Sequence, residues 1–424
     1  MDAKNFLSKL EFRPSEEESK ILRKKANIFA GLLKKELKRK KIFAEVFIGG
    51  SMAKGTLVKK KVNDIDLFVR FDKKHENPSS LLEGVLPEFC KKNKYKLTKI
   101  HGSRDYFMLQ NEEGFIFEVV PVLKIKNPRE AENVTDLSYF HVRYAKKKMN
   151  KELARQIAIM KAFCKAQDVY GAESYIGGFS GYGLECLIIY YKSFEKMAKA
   201  LINIKSKLIL DPEKKYKNKN DIFLEINESK MQSPIVLIDP TWKERNVLAA
   251  LSNESFQKFQ KVLKEFLKKP SFEFFKDKNA ADKKALAEFA KKSKAEFVEL
   301  TLWTDRQGGD IAGTKLKRFY DFLAEELESD FSVLKKEFYY FENKMAEVYF
   351  VLASKKEKTK VGPFTNLKKH CEAFRKMHKE IFEKDGRLYA SEKINKSAKK
   401  FIKDYAKGNK KKISEMGITE VVIR

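Results

Sequence analysis

The segment from residue 44 to residue 71 constrains the fold of this chain more than any other. A mostly apolar run, Ala44 to Ile48, stops at Gly49-Gly50-Ser51. Thirteen residues after that serine a second run opens with Asp64-Ile65-Asp66 and continues to Phe71. Runs of this length, bounded by glycine and rich in Val, Ile and Phe, predict strands, and the turn between them leads into a short helical stretch. Strand alternation then places Asp64 and Asp66 on one face. Two carboxylates that close repel, and a compensating cation is the usual reason to keep them. A later strand, around Phe115 to Leu123, carries Glu118 among Phe115, Ile116, Phe117, Val119 and Val120. An acid in so apolar a run needs a partner or a metal. Three carboxylates on neighbouring strands suit Mg²⁺, a hard ion that favours carboxylate oxygen together with substrate phosphates. The Gly49-Gly50-Ser51 turn can cradle phosphate with its N–H groups and the Ser51 hydroxyl, and Lys54 adds charge. It is neither a Walker A loop nor a dinucleotide fingerprint, because the lysine and glycine spacings are wrong.

Around this core the pattern predicts an α+β head. Ser15 with Glu18 makes a capping box, and Leu22, Ala26, Phe29, Leu33 and Leu37 follow at helical spacing. A second helix is expected over Ser80 to Lys94, and a further strand around Tyr106 to Leu109. From 143 to 268 the chain reads as helical, with one apolar face at Leu153, Ile157, Met160 and Cys164 and another at Leu184, Leu187, Ile188, Tyr191 and Phe194. Between them the glycines of 171–183 predict close helix packing for Gly177 to Gly183. Beyond Lys269-Pro270-Ser271 the pattern turns mixed α/β, with strand-like runs at Glu296 to Trp303 and Phe338 to Leu352.

Charge narrows the partner. Lys and Arg number 89 against 59 Asp and Glu, a net of +30. Some 40% of that surplus lies in the last 74 residues, Val351 to Arg424. A polyanion is the natural partner, nucleic acid ahead of a membrane surface. The densest apolar run, Leu184 to Tyr191, is short and contains Glu185, so no membrane span is expected. The first twenty residues lack an apolar leader core. Cys90, Cys164, Cys186 and Cys371 are scattered with no CxxC pair, which argues against structural zinc or a disulfide scaffold and fits a reducing, cytoplasmic setting.

The order Gly-Ser, D-x-D, then one lone strand acid resembles the nucleotidyltransferase superfamily, and within it the archaeal-type (class I) CCA-adding enzymes. The likeness continues through Phe140-His141, Lys161 with Tyr170-Gly171-Ala172-Glu173, Gly178 to Tyr182, Asp239-Pro240, Lys243 to Val247, Pro270-Ser271 and Phe274-Phe275. It implies template-independent, Mg²⁺-dependent addition of CCA to the 3′ end of tRNA from CTP and ATP, releasing pyrophosphate. It implies Asp64, Asp66 and Glu118 as metal-binding catalytic carboxylates, and Ser51, Lys54, His141, Lys161, Tyr170 and Arg245 as nucleotide contacts. It further implies a head at 1–142, a helical neck at 143–268, a mixed α/β body at 269–355 and a basic tail at 356–424, the last two binding tRNA, with a homodimer allowed. Two positions depart from the family pattern: Glu118 stands where aspartate is usual and Lys54 where arginine is commoner.

Taken singly, each residue has a plainer reading. Lys161 sits at the rim of an apolar helix face, where a lysine can snorkel without a role. Tyr170 can be a core aromatic, Arg245 a loop ion pair, and His141 structural. Three rival functions share the carboxylates or the charge. They are a poly(A)-type or C- or A-only RNA nucleotidyltransferase, a non-catalytic RNA-binding protein of the same fold, and a small-molecule nucleotidyltransferase. The Lys-Glu-Arg-Asn-Val setting of Arg245 favours CCA addition over the first. Intact Asp64 and Asp66 favour catalysis over the second, and the basic distal region argues against the third.

Overall fold

A computed structural model describes residues 2–60, 64–75, 77–276, 282–341, 343–355, 357–393 and 397–424. The chain divides into two compact units, Met1–Ala172 with Ile176–Asp277, and Glu173–Tyr175 with Lys278–Arg424.

The first unit opens with α1 (Ala3–Ser8) and α2 (Glu16–Arg39), the latter started by the expected Ser15/Glu18 capping box. Then come β1 (Ala44–Ile48), α3 (Gly50–Lys54), β2 (Asp64–Phe71), α4 (Pro78–Asn93), β3 (Lys96–Ile100), β4 (Tyr106–Gln110) and β5 (Ile116–Leu123). The five strands form one mixed sheet in the order β1-β2-β5-β4-β3, with β2 and β5 parallel and the other pairs antiparallel. Alternation sorts its two faces. Ile65, Leu67, Val69 and Phe71 of β2, with Phe117 and Val119 of β5, bury against Phe29, Leu33 and Leu37 of α2 and Leu82, Leu86 and Phe89 of α4. Phe29 stacks on Phe117 at 4.2 Å. The opposite face carries Asp64, Asp66 and Glu118, then an apolar patch of Phe68, Val120 and Val122. A core on one side of the sheet thus leaves the carboxylates on the other.

The rest of this unit is mainly helical: α5 (Ser138–Lys148), α6 (Lys151–Ala166), α7 (Gly181–Tyr191), α8 (Phe194–Leu201), α9 (Lys219–Glu225) and α10 (Asn253–Lys268), with a parallel pair β6 (Leu208–Leu210) and β7 (Ile235–Leu237). Phe163 of α6 sits at its centre, within 6.2 Å of the rings of Phe194, Phe259, Phe266 and Phe275. The glycines pack as expected. A Cβ on Gly178 would strike the Val169 carbonyl, and one on Gly183 would strike Leu248.

Two expected boundaries shift here. The break at 268 comes too early, because the 3₁₀ turn Phe272–Phe275 packs its aromatic rings into the neck core. The start of the chain is not part of the head's core, because Ala3 and Leu7 of α1 bury in the neck cluster and Phe6 stands edge-on to Phe266.

The second unit contains α11 (Lys283–Lys292), β8 (Glu296–Trp303), α12 (Asp310–Glu328), β9 (Phe331–Tyr340), β10 (Met345–Ser354), β11 (Glu357–Phe364), α13 (Lys368–Met377), β12 (Glu380–Lys384), β13 (Arg387–Lys393), α14 (Ala398–Gly408), α15 (Lys410–Glu415) and β14 (Glu420–Ile423). β14-β8-β10-β9 make an antiparallel sheet covered by α12 and α14. β11-β13-β12 make a small separate sheet under α13. The expected strand run Phe338 to Leu352 is therefore a hairpin broken after Tyr340. The expected tail from 356 to 424 is likewise two things. Residues 357–393 hold their own small core, while Ala398, Ile402, Ile413 and Ile418 bury in the body core and β14 pairs with β8. Four buried apolar side chains outweigh the lysine content of the segment, which stays on its outer face.

Candidate active site

β2 and β5 place Asp66 directly opposite Glu118, with Asp64 two residues earlier on the same face. The turn after β1 is pressed against them. Gly49 N–H donates to the Asp66 carbonyl at 2.9 Å, and Gly50 adopts φ +56°, where a Cβ would fall far inside 3.0 Å of the Asp66 carboxylate. Only glycine lets the turn approach that closely. Ser51, Asp64, Asp66, Glu118, Lys161 and Tyr170 line one cleft of about 230 Å³. Asp66 is half-buried. Burial raises its pKa above the usual carboxylate range, the nearby charge of Asp64 adds to this, and Lys54 and Lys161 oppose it. Lys60 Nζ holds Asp64 at 2.7 Å.

Among the described residues no three carboxylate, histidine or cysteine side chains converge into a closed metal cage. The donor set nonetheless fits a hard divalent cation. It is all oxygen, Asp66 is half-buried in the cleft wall, and the cleft stays open for substrate phosphates, the arrangement Mg²⁺ uses.

Behind the cleft lies a buried ionic cluster. Glu185, on α7 of the neck, has no solvent exposure. Its Oε1 accepts from Lys161 Nζ and from the Thr56 hydroxyl, both at 2.8 Å, and its Oε2 pairs with Lys54 Nζ at 2.6 Å. The Thr56 hydroxyl in turn accepts from Lys161 at 3.0 Å. Burial alone would raise the Glu185 pKa, but the ammoniums of Lys161 and Lys54 hold it down at about 2. A carboxyl depressed in the folded state stabilises the fold above its ordinary value of 4.5 and loses that stabilisation as pH falls toward 2. Glu185→Gln is therefore expected to cost about 3–5 kcal/mol at pH 7 by leaving two buried ammoniums unpaired. The difference from wild type should shrink below pH 3 in thermal unfolding monitored across that range. An equal difference at pH 7 and pH 2.5 would contradict the pairing.

A second group forms around Asp239, just after β7. Its Oδ1 accepts from the Thr241 N–H and hydroxyl, each at 2.7 Å, and from the Tyr182 hydroxyl at 3.3 Å. Its Oδ2 accepts from Arg245 Nη1 at 2.6 Å and meets His141 Nε2 at 3.1 Å. Burial works against ionisation, yet these donors hold Asp239 far below the usual carboxylate range. With Asp239 ionised, the His141 proton sits on Nε2. Burial also lowers the His141 pKa against the opposing pull of Asp239, and the ring stacks on Tyr182 at 3.8 Å. Lys54 Nζ lies 5.7 Å from the Tyr182 ring and links the two groups.

The expected site residues thus fall into three places. Ser51, Asp64, Asp66, Glu118, Lys161 and Tyr170 share the cleft. Lys54, expected to face the nucleotide, is turned to Glu185 and lines a neighbouring groove instead. The short α3 brings it alongside the neck, where a buried carboxylate outcompetes water for its ammonium. His141 and Arg245 meet at Asp239. Sequence reading missed Thr56, Tyr182, Glu185 and Asp239 as site residues. The signal for Glu185 was present, since it is a lone acid in the apolar stretch Gly181–Tyr191, the same pattern that marked Glu118.

A carboxylate face on a mixed sheet, a glycine turn pressed against it and a helical neck supplying cations define a nucleotidyltransferase. Residues 155–276 match the family described as tRNA nucleotidyltransferase, second domain. Residues 2–140 match the Second Messenger Oligonucleotide or Dinucleotide Synthetase domain. The chain is 36% identical over 358 residues to a CCA-adding enzyme of Nanoarchaeum equitans, covering 83% of this chain and 84% of that one. It is 28% identical to that of Methanocaldococcus jannaschii, covering 95% and 90%. Among solved structures it is similar to the Cid1 poly(U) polymerase, at 14% identity and TM-score 0.49, covering 65% of this chain and 97% of that one. The chain belongs to the archaeal-type CCA-adding enzymes. Among the described residues no helix is long and apolar enough to cross a membrane.

Proposed function

We propose that this chain adds CCA to the 3′ end of tRNA without a nucleic-acid template. The observation that carries the reading is the shared face of Asp64, Asp66 and Glu118 beside Ser51 in one open cleft. The terminal 3′-hydroxyl of tRNA attacks the α-phosphorus of CTP or ATP, the bond to the β-phosphate breaks, and pyrophosphate leaves. Asp64, Asp66 and Glu118 would hold Mg²⁺, which when bound neutralises phosphate charge and lowers the pKa of an attacking hydroxyl. Ser51 meets the triphosphate from the head side and Lys161 from the neck side. Two buried ammoniums against one buried carboxylate leave the cluster at Glu185 net positive, a field that favours the triphosphate. Positioning and charge neutralisation of this kind do most of the work in such transfers.

His141 and Arg245, fixed by Asp239, serve base selection. The Arg245 guanidinium is oriented by its hydrogen bond to Asp239, and its planar donor fork suits a base edge. The basic second unit grips the tRNA helix through phosphates and 2′-hydroxyls, by shape rather than sequence. The test is single-nucleotide incorporation by Arg245→Ala with CTP and ATP. The expected result is a loss of roughly 5–150-fold in kcat/KM for the correct nucleotide, the worth of a good donor fork on a base edge, with a relaxed choice between C and A. An unchanged C-to-A ratio would remove Arg245 from base selection.

A further inference from the structure

In the scheme above Glu185 enters only through the net charge of its cluster, yet it is fully buried beside the cleft. We infer that Glu185 is a positioning residue that holds the ammoniums of Lys54 and Lys161 away from the carboxylate face, so that Asp66 stays available to its divalent cation until the triphosphate arrives. This rests on the proposed metal-binding role of Asp66.

The geometry carries it. Lys161 lines the same cleft as Asp66, so its ammonium has two carboxylate destinations, and it is bound to Glu185 at 2.8 Å. Thr56 sets that choice. Its hydroxyl accepts a hydrogen bond from Lys161 and donates one to Glu185, and its carbonyl accepts from Lys161 at 3.4 Å. Lys54 ends the same short helix that Gly50 begins, and Gly50 lies against the Asp66 carboxylate. Both lysines already act on Asp66 through space. Remove the charge of Glu185 and two poorly solvated ammoniums remain, with the cleft carboxylates as their available counter-ions. A lysine on Asp66 then competes with the cation for the same oxygens. In the intact protein the incoming triphosphate offers the ammoniums a stronger partner only after the cleft is filled.

The test is direct binding of Mn²⁺ to the full chain without nucleotide, read by the electron paramagnetic resonance of the free ion. Glu185→Gln, which keeps the shape and drops the charge, is expected to weaken Mn²⁺ binding about tenfold. Glu185→Asp, which keeps the charge, should stay within about threefold of wild type, since these are effects of charge at short range. The half-saturating Mg²⁺ for CTP incorporation should rise in parallel for Glu185→Gln, with kcat largely recovered at high Mg²⁺. Wild-type Mn²⁺ affinity in folded Glu185→Gln, or equal losses in both variants, would overturn the inference. Should Glu185→Gln not fold, the triple variant Lys54→Gln/Lys161→Gln/Glu185→Gln, which removes both competing ammoniums together with their carboxylate, takes its place. Binding within about threefold of wild type is then expected, and a tenfold loss overturns the idea. Asp66→Asn separates the two layers. If it binds Mn²⁺ like wild type, the metal-site reading fails and this inference with it. If it loses Mn²⁺ while Glu185→Gln does not, only this inference fails.

Discussion

Asp66→Asn should lower the rate of nucleotide transfer by at least about a thousandfold while tRNA binding persists, the scale expected when a preorganised electrostatic group at the reacting centre is lost. Asp66 stands half-buried opposite Glu118 in the cleft, and three separate features converge on it. The Gly49 N–H grips its carbonyl, the Gly50 backbone lies against its carboxylate, and its strand register sets the distance to Glu118. Asparagine keeps the shape and removes the charge, so the fold should survive. Burial already disfavours the ionised form of Asp66, so the neutral amide should, if anything, raise Tm slightly in the absence of metal. Single-turnover extension at saturating tRNA, alongside thermal unfolding, checks both halves. Retained activity within tenfold of wild type would remove Asp66 from the reaction.

Gly50→Ala should be nearly as damaging for a different reason. At φ +56° an alanine pays roughly 1 kcal/mol in backbone conformation alone. The larger effect is steric, because its Cβ would overlap the Asp66 carboxylate. That carboxylate is not the free end of a long chain, so the turn and β2 must separate. A displacement of about an ångström at a reacting centre costs on the order of a hundredfold in rate. Gly55→Ala is the control. It also has positive φ, at +70°, but open space around it, so it should lose stability modestly and keep most of its activity. Steady-state extension and Tm for both variants distinguish steric from conformational effects. Equal activities would show that the turn does not set the position of Asp66.

Much of the head was legible because its signals are local. Period-two alternation in Asp64 to Phe71 and in the Phe115 to Leu123 run gave the strands, and the Ser15/Glu18 box with a helical apolar stripe gave α2. The edge strand Lys96–Ile100 was missed because Lys96, Thr98 and Lys99 break any clean apolar alternation and none of its residues is buried. The lysine-rich end was misread for a related reason. Charge dominates its composition, while a few isoleucines at Ile402, Ile413 and Ile418 decide that it folds back into the body sheet. In the site, the carboxylates that share a face by strand geometry were predictable, whereas the partners of Lys54 and Lys161 were not. Glu185 stands 129 residues from Thr56 in sequence, and no spacing rule joins a head loop to a neck helix. The Asp239 group has the same character. The Asp-Pro dipeptide is visible, but its meeting with His141, 98 residues away, is a product of packing.

The central claim is tested most directly with three tRNA transcripts, ending at the discriminator base, at C and at CC. Each is incubated with the protein, Mg²⁺ and labelled CTP or ATP and resolved on a sequencing gel. The account predicts two C additions from CTP on the first transcript, one on the second and none on the third. It predicts a single A from ATP on the CC-ending transcript alone, with every product lost in Asp66→Asn. Long A tails, addition of one nucleotide type only, or no extension of tRNA that remains bound would contradict it.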